Sequence, residues 1–509
     1  MNESEITSKL QQGYSLLLKE GRSQAYLNIH NDIVTYSGHT EQTKIKLCTH
    51  FLALQDILFF KQMASQLPSM TIANILAQYK GNPDGEFREK LMAWVHQTLP
   101  GTLTEKLIIN YHNAGLNHFA IELVKLIKHF SNYATETLFT FASSALNAAE
   151  ASLAREILQT ILARSPSNEL ALYNLAILHE DFGQFEESKA LHHKNFTLNQ
   201  SVYSYSRLLN TESKDKLIEL LSEVEPVQSK QLIKAEEIDL NFSLGFAYDR
   251  IGNYEAAIGR FNKANELARV NAKPIDLKLL QEKQGKLNFK LDNSESPIFI
   301  CGMHRSGSTL LEQVIASHSA FQNGGETPFF SEKVLDYCLQ GADKAKEIAT
   351  LYKNKFPDLH RVSNKLPDNF IYIGLIKALF PKAKFIITQR NKEDNCISLY
   401  FQNMSEQYNY STCLNEIQSF YDTHKQVVSE WKLQFHDDVY LFKYEDFIDN
   451  PQHELKMLCE FLKVDFEAEM LEFYKLKNNV RTASFHQVRT KLNKNSINRF
   501  ENYKKFIEL

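Results

Sequence analysis

The chain has 509 residues, enough for roughly two to four domains of ordinary size. Hydrophobic residues make up 43 % and charged residues 23 %, the balance of a folded chain rather than a disordered one. Lysine and arginine total 57 against 61 acidic residues, a formal charge of −4, which disfavours a general nucleic-acid binder.

The first residues are polar and mixed in charge, without the basic-then-apolar order of a secretory leader. Apolar runs such as 51–54 and 57–60 are too short to span a bilayer. The six cysteines are scattered, with no Cys-x-x-Cys pair. They read as reduced thiols of a cytoplasmic protein, with no structural zinc or other metal site. With 18 glycines and 12 prolines, the composition favours helices over a large all-β fold.

Helical periodicity covers 10–19 and 45–58 and becomes repetitive from about residue 100. Ile108, Ala142 and Ala176 are anchors spaced 34 residues apart. Around them stand Tyr111, Gly115 and Ala120 in the first copy, and His179, Gly183 and Phe185 in the third. The clearest copy comes later: Leu244, Gly245, Tyr248, Gly252, Tyr254, Ala257, Phe261 and Ala264. Its anchor lies 69 residues after Ala176, which leaves room for a degenerate copy near 208–221. Small residues where helices cross, glycine in the turn and this period resemble the tetratricopeptide repeat. The resemblance implies an N-terminal α-solenoid over 1–290, clearest at about 100–270, with a groove for a protein partner. A generic helical bundle is the other reading of the same segments.

The pattern changes near residue 295. A polar stretch at 292–297 precedes short β-branched runs at 298–301, 385–388 and 439–442. Each is followed by loop and helix, the order of a parallel α/β sheet. The expected division is therefore 1–290 and 297–509, giving an α + α/β architecture.

The first strand enters Gly302-Met-His-Arg305-Ser306-Gly307-Ser308-Thr309 and then a helix. Strand, glycine turn and hydroxyl-rich helix start make an anion cradle of backbone N–H groups. The Gly302-x4-Gly307 spacing is that of a P-loop, but Ser308 replaces the lysine that serves a triphosphate. The strand at 385–388 continues into Gln389-Arg390, so it offers no aspartate for magnesium. Both features disfavour a nucleotide kinase or NTPase.

Residues 297–311 resemble the 5′-phosphosulfate loop of sulfotransferases that use 3′-phosphoadenosine 5′-phosphosulfate (PAPS). The resemblance implies Arg305 beside the transferring group and Ser306, Gly307, Ser308 and Thr309 around the 5′-phosphate, with no metal. Arg390, followed eight residues later by Ser398, is similar to that family's 3′-phosphate clamp. Lys392 stands where the family usually has proline.

On the acceptor side, Gly324-Gly325-Glu326 resembles the Gly-Glu segment of tyrosylprotein sulfotransferases, which implies Glu326 as general base. Lys365-Leu366-Pro367 is similar to the family's Lys-x-Pro, which implies that Lys365 neutralises the departing oxygen. Asp368 and Asn369 read as helix-start residues. The segment 480–503 resembles the family's C-terminal closing segment and implies Lys494, Ser496 and Arg499 over the nucleotide, with Phe500 in place of the usual tryptophan. His304 and His318 read as a loop filler and a helix end.

The resulting expectation is a PAPS-dependent sulfotransferase leaning towards peptide tyrosine. Carbohydrate and small-molecule acceptors are the alternatives. An adaptor whose transferase domain has decayed is the reading from another class.

Overall fold

The computed structural model describes residues 1–509 except 2, 82–84, 224–226, 228–230, 272–274, 357, 359–361, 477–489 and 509. It divides into two compact units, Met1–Ser201 and Val202–Leu509. Among the described residues no helix is long and apolar enough to cross a membrane.

The first unit is built of helices that pack in consecutive pairs. Gly101–Asn113 packs on Asn117–Val124, Thr135–Asn147 on Ala151–Arg164, and Glu169–Asp181 on Phe185–Asn199. The three intervening turns share one conformation: Gly115, Ala149 and Gly183 all have positive φ. These positions lie 34 residues apart, the spacing of the anchors. In each turn an N–H reaches back five residues: Leu116 to Tyr111 at 2.8 Å, Glu150 to Ala145 at 2.8 Å, Gln184 to His179 at 2.9 Å. Such a bond satisfies a carbonyl that the helix end would otherwise leave open. Ala120, Ala145, Ala154 and Ala176 are buried, and small side chains there let helix axes approach.

The second unit carries a five-stranded sheet in the order β2-β3-β1-β4-β5, with every pairing parallel. The strands are β1 (Ile298–Gly302), β2 (Gln322–Asn323), β3 (Val362–Lys365), β4 (Lys384–Gln389) and β5 (Val439–Lys443). Alternation along β1 sends Phe299 and Cys301 into one core with Tyr352, Phe380 and Trp431. Ile298 and Ile300 enter the opposite core with Leu311, Val314 and Leu458. Both faces are covered, which explains why these strands read as continuous apolar runs.

Helices Lys234–Ile251 and Tyr254–Ala268 belong to this second unit, not to the first. Gly245 sits where a Cβ would come within 2.6 Å of the Phe261 ring. Phe261 in turn stacks on Phe401 with centroids 3.9 Å apart. Gln284 donates to the Ile371 carbonyl at 2.7 Å and accepts from the Leu375 N–H at 2.9 Å. The polar stretch expected as a linker is likewise fastened, since the Asn293 side-chain amide donates to the Leu379 carbonyl at 3.1 Å. The compact division thus falls at 201/202, whereas the sequence reading places it at 290–296. Apolar helix faces from 234–268 are completed by residues near 400, a pairing that local composition does not reveal.

Candidate active site

The loop after β1 is shaped by its neighbours. Gly302 has φ +137°, and a Cβ there would lie 2.5 Å from the Thr388 carbonyl oxygen of β4. Arg305 is held at φ +66°, a conformation that is uncommon for a residue with a side chain. Gly307 caps the helix Ser308–Ala316 at φ +99° without any side-chain cap bond. The first N–H groups of that helix therefore remain available to an anion, aided by the helix dipole.

Arg305, Gly307, Ser308, Thr309, Arg390 and Ser496 all line one pocket at this helix start. The Arg390 guanidinium donates to the Arg305 carbonyl at 3.0 Å and to the Ser496 carbonyl at 2.5 Å. It lies 5.3 Å from the centroid of the Tyr444 ring. Its Nε is buried and has no hydrogen-bond partner among the described residues, a donor that a bound anion could satisfy. Burial, then Arg390 and Arg499, push the Arg305 guanidinium down to about 10. Mutual repulsion among clustered cations marks a place where a multiply charged anion would be stabilised.

Three expected donor residues sit differently. Ser306 is buried, and its hydroxyl bonds within the loop, to the Met303 carbonyl at 2.6 Å and the Thr388 hydroxyl at 2.6 Å. It braces the loop on β4 and does not line the pocket. The Ser398 hydroxyl accepts from Arg305 Nε at 3.3 Å and stands behind that guanidinium rather than on the pocket wall. Lys494 is exposed and paired with Asp449 at 2.6 Å. From that segment Thr490, Lys491, Leu492, Asn493 and Ser496 line the pocket. The stretch 480–489 of the expected closing segment lies outside the described residues. Arg499 pairs with Asp249 at 2.6 Å.

A second cleft of about 670 Å³ also reaches this loop. It shares Arg305, Ser308 and Thr309 with the first pocket, so the two meet at the helix start. Glu326 is exposed in this cleft and ion-paired with Lys365 at the end of β3. Lys365 is fully buried, and its ammonium also lies 3.7 Å from the Glu312 carboxylate.

The cleft contains a group that sequence reading passed over. His304 Nε2 lies 3.2 Å from Asp368 Oδ1, and the Tyr408 hydroxyl donates to Asp368 Oδ2 at 2.6 Å. Burial alone would raise the Asp368 pKa, but the His304 and Tyr408 hydrogen bonds outweigh it and the pKa is lowered. All three residues line the cleft. Asp368 is thus more than a helix-start residue, and His304 more than a loop filler. His304 immediately precedes Arg305, which was the one local sign of its position.

Comparison with known proteins adds a family likeness to this geometry. Residues 297–359 and 334–468 match the sulfotransferase family. The matched stretches contain all five strands of the sheet, together with Arg305, Glu312, Glu326, Lys365, Arg390 and Ser398. Lys494 and Ser496 fall beyond them. Among similar proteins, an uncharacterized protein of Aquifex aeolicus (strain VF5) is 27 % identical over 392 residues, 70 % of this chain. The chain spans about half of that relative, 51 % of its length. A Caenorhabditis briggsae protein, provisionally named a protein-tyrosine sulfotransferase, is 25 % identical over 212 residues. That alignment covers 36 % of this chain and 72 % of the relative. Two solved sulfotransferase domains are also similar to parts of this chain. The one from the Synechococcus PCC 7002 olefin synthase has a TM-score of 0.31 at 19 % identity, covering 44 % of this chain and 98 % of that domain. The one from the curacin biosynthetic pathway has a TM-score of 0.32 at 20 % identity, covering 43 % and 93 %.

Proposed function

We propose that the second unit is a PAPS-dependent sulfotransferase that transfers a sulfuryl group to an acceptor hydroxyl. The observation that carries this reading is the meeting of two cavities at Arg305, Ser308 and Thr309, one cationic and one holding Glu326. The sulfotransferase-family match supports it. Bound in the cationic pocket, the donor would supply an activated sulfur at that junction. The helix start and Arg305 would hold its 5′-phosphosulfate, and Arg390 its 3′-phosphate. Glu326 would take the acceptor proton as the new oxygen–sulfur bond forms and the bond to the 5′-phosphate breaks. Arg305 and Lys365 would balance charge on the departing phosphate oxygen.

The acceptor is proposed to be a peptide tyrosine, a lean supported by the Gly-Glu segment and by the name of the C. briggsae relative. The paired helices with left-handed turns at 115, 149 and 183 support a tetratricopeptide-type groove that recruits a protein partner.

Thermal unfolding with ligands tests the donor assignment. 3′,5′-Bisphosphoadenosine should raise the melting temperature without magnesium, and ATP with magnesium should raise it less. Stabilisation by ATP alone would overturn the reading. Arg390→Ala should weaken the bisphosphate by about 1.5–3 kcal/mol, the loss of a charge-assisted hydrogen-bond partner. Adenosine 5′-phosphosulfate, which lacks the 3′-phosphate, should lose much less, and calorimetric titration of both ligands separates the two effects.

A second reading of the base has one specific observation behind it. His304 is oriented by Asp368 in the acceptor cleft, the base-and-orienter arrangement of general-base catalysis.

A further inference from the structure

Glu312 has no part in the mechanism as given, yet its placement is unusual. It lies on the helix Ser308–Ala316 and is 3 % exposed. Its Oε2 is 3.7 Å from the Lys365 ammonium, and its Oε1 has no hydrogen-bond partner among the described residues. The neighbouring Gly325 N–H donates to Asn323 Oδ1 at 2.7 Å and also acts on the Glu312 carboxyl, lowering its pKa. A buried carboxylate with half its capacity unused is costly to retain for stability alone.

One ammonium therefore stands between two carboxylates, Glu312 inside and Glu326 at the cleft. A base in direct contact with an ammonium holds a proton less well than one whose cation is shared. We infer that Glu312 is a positioning residue: by sharing the Lys365 ammonium, it frees Glu326 to take the acceptor proton. The inference rests on Glu326 being the base in the proposed function.

The helix of Glu312 packs against β1, β2, β3 and the segment Ala468–Lys475. The charged groups that act on Glu312 are Lys365 from β3 and Glu326 from the loop after β2. Burial pushes the Glu312 carboxyl up to about 7, opposed by Lys365 and reinforced by Glu326. Below that value Glu312 is neutral and Lys365 pairs with Glu326 alone. Above it Glu312 is charged and draws on the same ammonium. The transfer rate should accordingly rise with pH through about 7, as the competitor ionises.

Glu312→Gln in the full chain tests this, because glutamine keeps the shape but never ionises. Glu312→Gln should lower kcat roughly threefold at pH 8, with little difference at pH 6. The limb near pH 7 should vanish, while the KM for PAPS stays at its wild-type value. A phenol already ionised at the assay pH should show no deficit. Glu312→Asp keeps the charge and should keep the limb, and thermal unfolding establishes that both variants are folded. A Glu312→Gln enzyme that retains the limb, or that is equally slow on the ionised phenol, overturns the inference. Failure of the underlying reading looks different: Glu326→Gln would then be fully active.

Discussion

Glu326→Gln is expected to lower kcat by on the order of 10²–10⁴-fold, the usual consequence of removing a general base. Glutamine preserves size and most hydrogen bonding but cannot accept the acceptor proton. Donor affinity should change little, because Glu326 lines the second cleft and is absent from the cationic pocket. Lys365→Ala should also slow transfer, for a different reason. It removes the charge that offsets the departing oxygen and leaves Glu312 as an uncompensated buried carboxylate. An acidic phenol, ionised at the assay pH, separates the two: it should restore much of the Glu326→Gln rate and little of the Lys365→Ala rate. His304→Ala completes the set. If His304 rather than Glu326 is the base, His304→Ala will carry the large loss and the phenol rescue, and Glu326→Gln will be mild.

Removal of residues 1–201 should leave a folded, bisphosphate-binding protein, because the second compact unit begins at Val202. Removal of 1–290, the cut that the sequence alone recommends, should not. It deletes Phe261 from its stack on Phe401 and takes Ala257, Ile258 and Ala264 from a core that includes Ile397, Leu399 and Tyr503. It also removes Asp249, which accepts from Arg499 at 2.6 Å and from the Tyr503 hydroxyl. Gln284, bonded to Ile371 and Leu375, would be lost as well. Each large apolar side chain stripped of its cover forfeits about 1.5–3 kcal/mol. Several such losses rival the whole 5–15 kcal/mol stability typical of a domain. The shorter truncation should melt cooperatively and bind the bisphosphate. The longer one should show no cooperative transition. A stable, ligand-binding 291–509 fragment would show instead that helices 234–284 are dispensable to the sheet.

Much of the cationic pocket's backbone was legible because its turns are local. A buried β-branched strand, a glycine at each sharp turn and hydroxyls at a helix start are consecutive in the chain. The turn conformations at Gly302 and Gly307 suit those residues, whereas the positive φ of Arg305 could not be read from its type. The 34-residue turn positions are legible for the same reason, since a left-handed residue after a helix is a short-range device. Side-chain direction is another matter. The sequence offers Ser306, Ser308 and Thr309 as equivalent hydroxyls, but the contact with Thr388 of β4 turns Ser306 inward. Lys491 and Lys494 are three residues apart, and only the packing of their segment decides that Lys491 lines the pocket while Lys494 pairs with Asp449.

Glu312, and the Asp368–His304–Tyr408 group, were invisible for a deeper reason. Their partners lie tens of residues away in the chain, and no local pattern distinguishes a buried carboxylate on a helix from a solvated one. Parallel pairing of β1 with β3 aligns Ile300 with Lys365. The crossover helix Ser308–Ala316 then packs against β3 and brings Glu312 to the same ammonium that Glu326 holds. The sequence by itself therefore determined the strand–loop–helix cradle and the 34-residue spacing of the helix pairs. The tertiary structure decided which side chains share a charge, because Coulomb energy and burial depend on through-space distance and not on position in the chain.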